Sequence, residues 1–321
     1  MEYKRLGLTD LKISRLGFGG CPIGGHGWGS VRDENSIAAI RKAVKLGINF
    51  FDTADIYGLG HSEEILSKGL GKDRKKVVIA TKVGVRWDNK EKISHNDLSP
   101  KHITQAVENS LRRLRIDCIP LYQIHYPDPK TPISETMEIL KKLQKQGKIK
   151  HIGCSNFSSK LINEAQKYGR IESLQASYNV LDWALEKSLI PTCRKWEMSV
   201  IVYGPLAHGL LTGKYNLNTK FGKDDRRSRK EYKNFRGKRF KANLVIVDKL
   251  KEIALKYNKT SVQIAIRWIL DNDLITNAIL GVKTPEEIEE NAGVLGWKLT
   301  LKDRDILIKT VTNTYKEYNI K

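Results

Sequence analysis

The sequence predicts a single (β/α)8 barrel, one domain spanning residues 1–321, with an N-terminal β-hairpin and extra helices near the C-terminus. Three observations carry that expectation. Eight short apolar, β-branched runs alternate with amphipathic helical segments, which is how a parallel sheet covered by helices reads. A chain of 321 residues holds eight such repeats without a composition break that would mark a boundary. Finally, the glycine patterns exclude the main alternative, an open doubly wound sheet. Gly58-Leu59-Gly60-His61-Ser62-Glu63 and Gly17-Phe18-Gly19-Gly20-Cys21-Pro22 both lack the third glycine of a dinucleotide-binding turn, and no Walker loop is present.

Taken in order, Tyr3–Leu6 and Leu11–Arg15 flank Gly7-Leu8-Thr9-Asp10 and read as a hairpin. Strands are expected at Leu16–Gly19, Ile48–Asp52, Val77–Lys82, Ile119–His125, Ile149–Ser155, Leu174–Tyr178, Val200–Tyr203 and Ala278–Gly281. Helices are expected at Glu34–Leu46, Ser62–Leu70, Lys101–Leu114, Ile133–Gln146, Ser159–Tyr168, Glu186–Glu197, Ser261–Leu270 and Glu286–Ala292. Ile37, Ile40, Ala43, Val44 and Gly47 share one face of the first of these, as in a helix lying on a sheet. Ser99-Pro100, Thr131-Pro132 and Thr284-Pro285 each read as a cap followed by proline at the first turn. The extra helices are placed at Asn243–Tyr257 and from Leu301 to about Glu317.

Composition narrows the class. Hydrophobic content of 40% with 29% charged residues is that of a soluble globular protein. No apolar run approaches a membrane span. Met1-Glu2-Tyr3-Lys4-Arg5 lacks the apolar core of a signal peptide, so a cytoplasmic location is expected. Cys21, Cys118, Cys154 and Cys193 are scattered with no Cys-x-x-Cys pair, which fits a reducing compartment and argues against a zinc ribbon; no metal site is expected. The formal charge is +21, and residues 214–241 hold twelve Lys or Arg against three acids, a local net of +9. A basic balance fits a phosphorylated ligand, nucleic acid or an anionic membrane. The expectation is a small-molecule partner, with no nucleic acid and no membrane.

The chemistry is read from the strand ends. In Ile48-Asn49-Phe50-Phe51-Asp52-Thr53-Ala54-Asp55-Ile56-Tyr57 an apolar run stops at a carboxylate, and a phenol follows five residues later. Alone, Asp52 reads more readily as a turn cap and Tyr57 as an ordinary half-buried aromatic. A barrel, however, brings the carboxyl ends of its strands to one mouth. In order those ends are Gly20-Cys21, Asp52 with Tyr57, Lys82, His125, Ser155-Asn156, Gln175, Tyr203 and Gly281-Val282-Lys283. Asp52, Tyr57, Lys82 and His125 thus meet from adjacent strands. A phenol titrates near about 10, and an ammonium beside it stabilises the phenolate. Asp52 would keep Lys82 charged, and His125 could donate to a carbonyl oxygen or hydrogen-bond the phenol. Such a group suits carbonyl reduction, in which a proton accompanies a hydride; the chain itself supplies no hydride, so a nicotinamide cofactor is implied.

These residues resemble the aldo-keto reductase superfamily. The resemblance rests on Phe51-Asp52-Thr53-Ala54-Asp55-Ile56-Tyr57-Gly58, Thr81-Lys82, Leu121-Tyr122-Gln123-Ile124-His125 and Ile152-Gly153-Cys154-Ser155-Asn156-Phe157. Tyr203-Gly204-Pro205-Leu206 with Leu211-Thr212-Gly213-Lys214-Tyr215, and Gly281 to Asn291, complete six motifs in order. The resemblance implies a (β/α)8 barrel binding NAD(P)H in an extended pose, with Asp52, Tyr57, Lys82 and His125 as catalytic tetrad and Tyr57 as proton donor. It implies Ser155, Asn156 and Gln175 for the nicotinamide carboxamide and Tyr203 for stacking on the ring. It further implies Gly204, Pro205, Leu206 and Lys214 beside the pyrophosphate, and Gly281, Lys283, Thr284, Glu290 and Asn291 around the adenosine 2′-phosphate and adenine. Gly20, Cys21 and Asp52, at the first two strand ends, are assigned to the cofactor side as well. Glu287 departs from the pattern, standing where many NADPH-preferring relatives carry Arg or Gln. NADP(H) is favoured, on Lys283 and Thr284, with NAD(H) as the alternative. In the basic segment, one or two cations are expected on the cofactor and the others in water.

The leading expectation is therefore an NADP(H)-dependent reductase of aldehydes or ketones. The same resemblance admits a second class, a nicotinamide-binding regulatory subunit like the channel-associated β subunits. Substrate selectivity is expected from the loops over the mouth: Pro22 to Ser30 with His26 and Trp28, Arg86-Trp87, and Tyr126. Simple loop packing accounts equally well for Trp28 and Trp87.

Overall fold

The computed structural model describes residues 1–25, 27–29, 31–88 and 93–320. His26 and Ser30 of the expected selectivity loop lie outside the described residues. The chain opens with hairpin strands β1 (Tyr3–Arg5) and β2 (Lys12–Ser14), paired antiparallel. The barrel begins with β3 (Leu16–Gly19) and its helix α1 (Asp33–Lys45), then β4 (Phe50–Asp52) with α2 (His61–Leu70) and β5 (Val78–Val83). An antiparallel ribbon, β6 (Val85–Asp88) with β7 (Ile93–Asn96), precedes α3 (Pro100–Leu114). Next come β8 (Ile119–Ile124) with α4 (Ile133–Lys145), β9 (Ile149–Ser155) with α5 (Ser159–Ala165), and β10 (Ser173–Ser177) with α6 (Leu185–Ser188) and α7 (Ile190–Lys195). The chain ends with β11 (Ser199–Tyr203), α8 (Gly237–Tyr257), α9 (Ser261–Leu270), β12 (Ile275–Gly281), α10 (Pro285–Ala292) and α11 (Leu301–Glu317).

Eight strands close into a parallel barrel in the order β3-β4-β5-β8-β9-β10-β11-β12, with β12 pairing back onto β3. Side chains alternate along each strand, and this period decides what reaches the site. Phe50, Val78, Ala80, Leu121, Ile201 and Ile279 point inward and pack with Leu6 and Ile13 of the hairpin, which plugs the amino end of the barrel. Phe51, Ile79, Tyr122, Ile152, Leu174, Val200 and Leu280 point outward to the helix layer, where Ile40, Ala43 and Ile65 are fully buried. Counting by two from the inward residues reaches Asp52, Lys82, Gln123 and then His125, and likewise Tyr203. The apolar alternation that builds the core thereby aims the polar residues into the mouth. One ionic tie holds helices to the sheet behind the site. Glu63 on α2 is fully buried, pairs with Arg113 of α3 at 2.6 Å and accepts from Thr81 Oγ1 of β5 at 2.6 Å.

Ser99 and Thr284 cap their helices as expected, accepting from the amides of His102 and Glu287. Thr131 does not. Its hydroxyl donates to Asp128 Oδ2 at 2.7 Å, and α4 starts after Pro132 without a side-chain cap. The single helix expected at Glu186–Glu197 is two short ones, because Pro191 has no amide proton to carry the helical ladder through. Helix α8 begins at Gly237, six residues before the expected Asn243, with its first turn hidden in a cation-rich stretch. The ribbon β6–β7 was not foreseen: its residues are mostly exposed, so they carry no core pattern. Among the described residues no helix is long and apolar enough to cross a membrane.

Candidate active site

Asp52 closes β4 on the barrel floor and is almost fully buried. Its Oδ1 accepts from Lys82 Nζ at 2.6 Å. Its Oδ2 accepts from Gln175 Nε2 at 2.7 Å and Gln123 Nε2 at 3.1 Å. Lys82, also fully buried, gives its remaining protons to the Thr53 carbonyl at 2.8 Å and to Tyr57 Oη at 3.4 Å. An ammonium has three donors, and here three acceptors surround it, one of them a carboxylate. That is the arrangement in which a buried charge is tolerated.

Tyr57 is held by a turn that only glycine permits. Gly58 has φ +60°, and a Cβ there would lie 2.1 Å from the Gly24 carbonyl oxygen. The loop carrying Gly24 therefore presses directly on the residue after the phenol. Burial is the largest influence on Tyr57 and holds its proton well above the ordinary range, reinforced by Cys21 and Asp52. The sequence expectation had Lys82 lowering this pKa; burial acts in the opposite direction, and Tyr57 is a neutral, proton-bearing phenol.

His125 follows β8 and meets the Tyr57 ring edge-on, with centroids 5.7 Å apart. Burial, then the nearby Lys82 charge, pushes its imidazole well below the ordinary value, so it is neutral. Its Nδ1 is buried without a hydrogen-bond partner among the described residues. Tyr126 stacks on the other side of the imidazole at 5.1 Å. Asp55, two residues before Tyr57, has a buried Oδ1 with no such partner, and burial first, then Glu63, pushes its carboxyl up to about 8.

The next wall is one hydrogen-bonded chain. Tyr203 Oη donates to Asn156 Oδ1 at 3.0 Å. Asn156 Nδ2 donates to the His125 carbonyl at 2.9 Å and to Ser155 Oγ at 3.1 Å. Ser155 Oγ donates in turn to the Gln175 carbonyl at 2.9 Å. Asn156 adopts φ +60°, a conformation asparagine tolerates better than most residues. Beyond β11 the Gly204 carbonyl accepts from Asn179 Nδ2, Pro205 is buried and Leu206 is half-buried. Lys214 is exposed and lies over the Tyr215 ring at 5.3 Å.

At the opposite rim, Gly20 donates its amide to the Asp52 carbonyl at 2.7 Å, and Cys21 Sγ accepts from the Trp28 indole at 3.4 Å. Gly281 ends β12, and Thr284 caps α10. Lys283 Nζ donates to the Trp28 carbonyl at 3.0 Å, while its amide donates to Glu287 Oε2 at 2.7 Å. Burial lowers the Lys283 ammonium; Glu287 opposes that, and the charges of Lys214 and Arg227 add to it. Three cations thus share one neighbourhood. Asn291 is buried, and Glu290 is exposed, its carbonyl accepting from Gln263.

The structure brings together Asp52, Tyr57, Lys82, His125, Ser155, Asn156, Gln175 and Tyr203. Gln175 is drawn down to Asp52 rather than left at the rim. Trp87 sits on the β6–β7 ribbon, 37% exposed, with no ring contact to the tetrad among the described residues. Sequence reasoning passed over Gln123, although one polar residue at an inward position of the apolar strand Leu121-Tyr122-Gln123-Ile124 is a legible signal. Arg226 was not singled out from the run Asp224-Asp225-Arg226-Arg227, in which one or two cations were expected on the cofactor.

The model of the Aldo/keto reductase family matches residues 15–309. The chain is 37% identical over 321 residues to aldo-keto reductase YhdN of Bacillus subtilis (strain 168), covering 99% of this chain and 96% of that protein. It is 34% identical to the NADH-specific methylglyoxal reductase of Escherichia coli (strain K12), covering 96% and 97%. Its fold is similar to the glycerol dehydrogenase AKR11B4 from Gluconobacter oxydans, with a TM-score of 0.88, 37% identity, and coverage of 98% and 95%.

Proposed function

The chain belongs to the aldo/keto reductase family and is an NAD(P)H-dependent oxidoreductase; on that premise we propose that it reduces aldehydes or ketones to alcohols, with Tyr57 as the general acid and NADP(H) as the favoured cofactor. The observation that carries this reading is the contact of Lys82 Nζ with both Asp52 Oδ1 and Tyr57 Oη. A proton-bearing phenol is backed by an ammonium that has nowhere else to move.

Tyr57 donates its proton to the carbonyl oxygen, and Lys82 stabilises the phenolate that remains. Asp52, Gln123 and Gln175 fix Lys82 in place. His125, neutral, keeps one N–H for the same carbonyl oxygen. The nicotinamide, when bound, supplies the hydride that the carbonyl carbon accepts. The residues present fit such a cofactor: Ser155 and Asn156 offer the carboxamide polar atoms, and the half-buried Tyr203 ring, tethered by its hydroxyl, offers a flat face. Lys214, Arg227 and Lys283 supply positive charge for phosphates. Lys283 and Thr284 support NADP(H), and Glu287, its carboxylate already accepting the Lys283 amide, weakens rather than cancels that support.

Tyr57→Phe tests the assignment. Turnover should fall by roughly a hundredfold to ten-thousandfold, with the dissociation constant for NADPH little changed. A variant as active as wild type sinks the mechanism. The pH profile provides a second readout. Because burial raises the phenol, reduction should stay level between about pH 6 and 9, whereas alcohol oxidation, which needs the phenolate, should climb with pH.

A further inference from the structure

Arg226 carries a positive charge that the proton transfer above leaves unused. It begins a short 3-10 turn, Arg226–Ser228, on the long connection between β11 and α8. Its amide donates to the Gly27 carbonyl at 3.0 Å, so this connection touches the loop after β3 across the mouth. The approach is close. Gly27 has φ +78°, and a Cβ there would lie 2.5 Å from Arg226 Cγ and Nε. The guanidinium sits 5.7 Å over the Trp28 ring, whose far neighbours are His208, stacked at 5.7 Å, and Tyr232, edge-on at 6.5 Å. An aromatic face holds a guanidinium flat; the Arg226 side chain also hydrogen-bonds the Tyr232 phenol, and its Nε edge is left over.

Three features mark that edge as a receptor. Arg226 Nε is buried and has no hydrogen-bond partner among the described residues. Its neighbour Arg227 is the opposite case, with Nε donating to Asp225 Oδ1 at 2.8 Å, whereas no described carboxylate lies within ion-pair distance of Arg226. A buried donor without an acceptor is expensive and calls for a partner. Position is the second feature. Arg226 acts on the half-buried Cys21 thiol and on the Tyr126 phenol, opposing the rise that desolvation gives each, and both of these groups act in turn on Tyr57. Tyr126 stacks on His125, which meets the acid Tyr57 edge-on, and Trp28 beneath the guanidinium hydrogen-bonds Cys21 at the end of β3. Third, the wall continues outward as a cavity of about 510 Å³ whose lining includes four cations, Arg226, Arg229, Lys233 and Arg239, and one acid, Glu231.

We propose that Arg226 receives an anionic group on the carbonyl substrate, a carboxylate or a phosphate carried away from the reacting C=O. This inference rests on the carbonyl-reductase reading and names the class of substrate that reading leaves open. A planar guanidinium fork matches both oxyanions, and burial beside Trp28 strengthens the pairing.

Matched substrates test it: benzaldehyde against 4-carboxybenzaldehyde, and glyceraldehyde against glyceraldehyde 3-phosphate, each assayed with both reduced cofactors. Wild type should prefer the charged member of at least one pair, and which pair tells carboxylate from phosphate. In Arg226→Leu the charged-to-neutral ratio of kcat/KM should fall by roughly tenfold to a hundredfold, mostly through KM. Arg226→Lys, which keeps the charge but not the fork, should restore part of it. The NADPH dissociation constant of both variants should stay within about twofold of wild type. An unchanged ratio in both variants overturns the proposal, as does a weakened NADPH affinity with the ratio intact, which would give Arg226 to the cofactor. If wild type reduces no member of either pair, the carbonyl-reductase reading itself fails; equal rates on neutral and charged members remove only the substrate class.

Discussion

Asp55 shows how far one residue beside the tetrad departs from ordinary behaviour. In an unfolded chain its carboxyl releases a proton near about pH 4, but burial moves that to about 8 in the folded protein. The folded state therefore holds a proton that the unfolded state has lost throughout this interval. Stability falls as pH rises from about 4 toward 8 and levels off above it. Asp55→Asn removes the titrating group. Its melting temperature should match wild type near about pH 4 and exceed it by a few degrees, roughly, at pH 8; thermal denaturation at the two pH values checks this. A difference that is the same at both ends would show that the carboxyl is not the source.

At the scale of elements, the tie between α2, α3 and β5 passes through one carboxylate. Glu63 is fully buried between Arg113 and Thr81, and Thr81 precedes Lys82. Glu63→Ala leaves Arg113 without its acid and should destabilise the protein by roughly 3–5 kcal/mol, read from urea unfolding, whereas Glu63→Gln should recover part of the loss. The elements also show what a sequence can display. Each barrel strand was legible because burial on both faces writes a continuous apolar run, and the tetrad was legible because those runs end in Asp52, Lys82 and His125. Gln123 sits inside such a run, and only its inward register, legible once the strand's alternation is followed, separates it from Tyr122. The β6–β7 ribbon and the start of α8 left little trace, because exposed or cationic residues there are chosen by solvent rather than by packing. The fate of Thr131 depended on an acceptor, Asp128, that competes for the hydroxyl locally.

Across the whole molecule the formal charge of +21 is unevenly used. Lys214, Arg227 and Lys283 share one neighbourhood, the rim proposed for the cofactor, and Glu287 stands against them. Glu287→Gln should tighten NADPH by up to about fivefold while leaving NADH nearly unchanged, a difference that fluorescence titration with the two cofactors measures; equal shifts for both would place Glu287 away from the 2′-phosphate. The floor of the barrel is governed by different rules. Asp52 stands on β4 and takes hydrogen bonds from β5, β8 and β10 through Lys82, Gln123 and Gln175, so one carboxylate laces four of the eight staves. An engineer seeking new substrates therefore has open ground in the loops around Trp28 and Arg226 and almost none below. The carboxylate that fixes Lys82 beside Tyr57 is the same one that ties these four strands together.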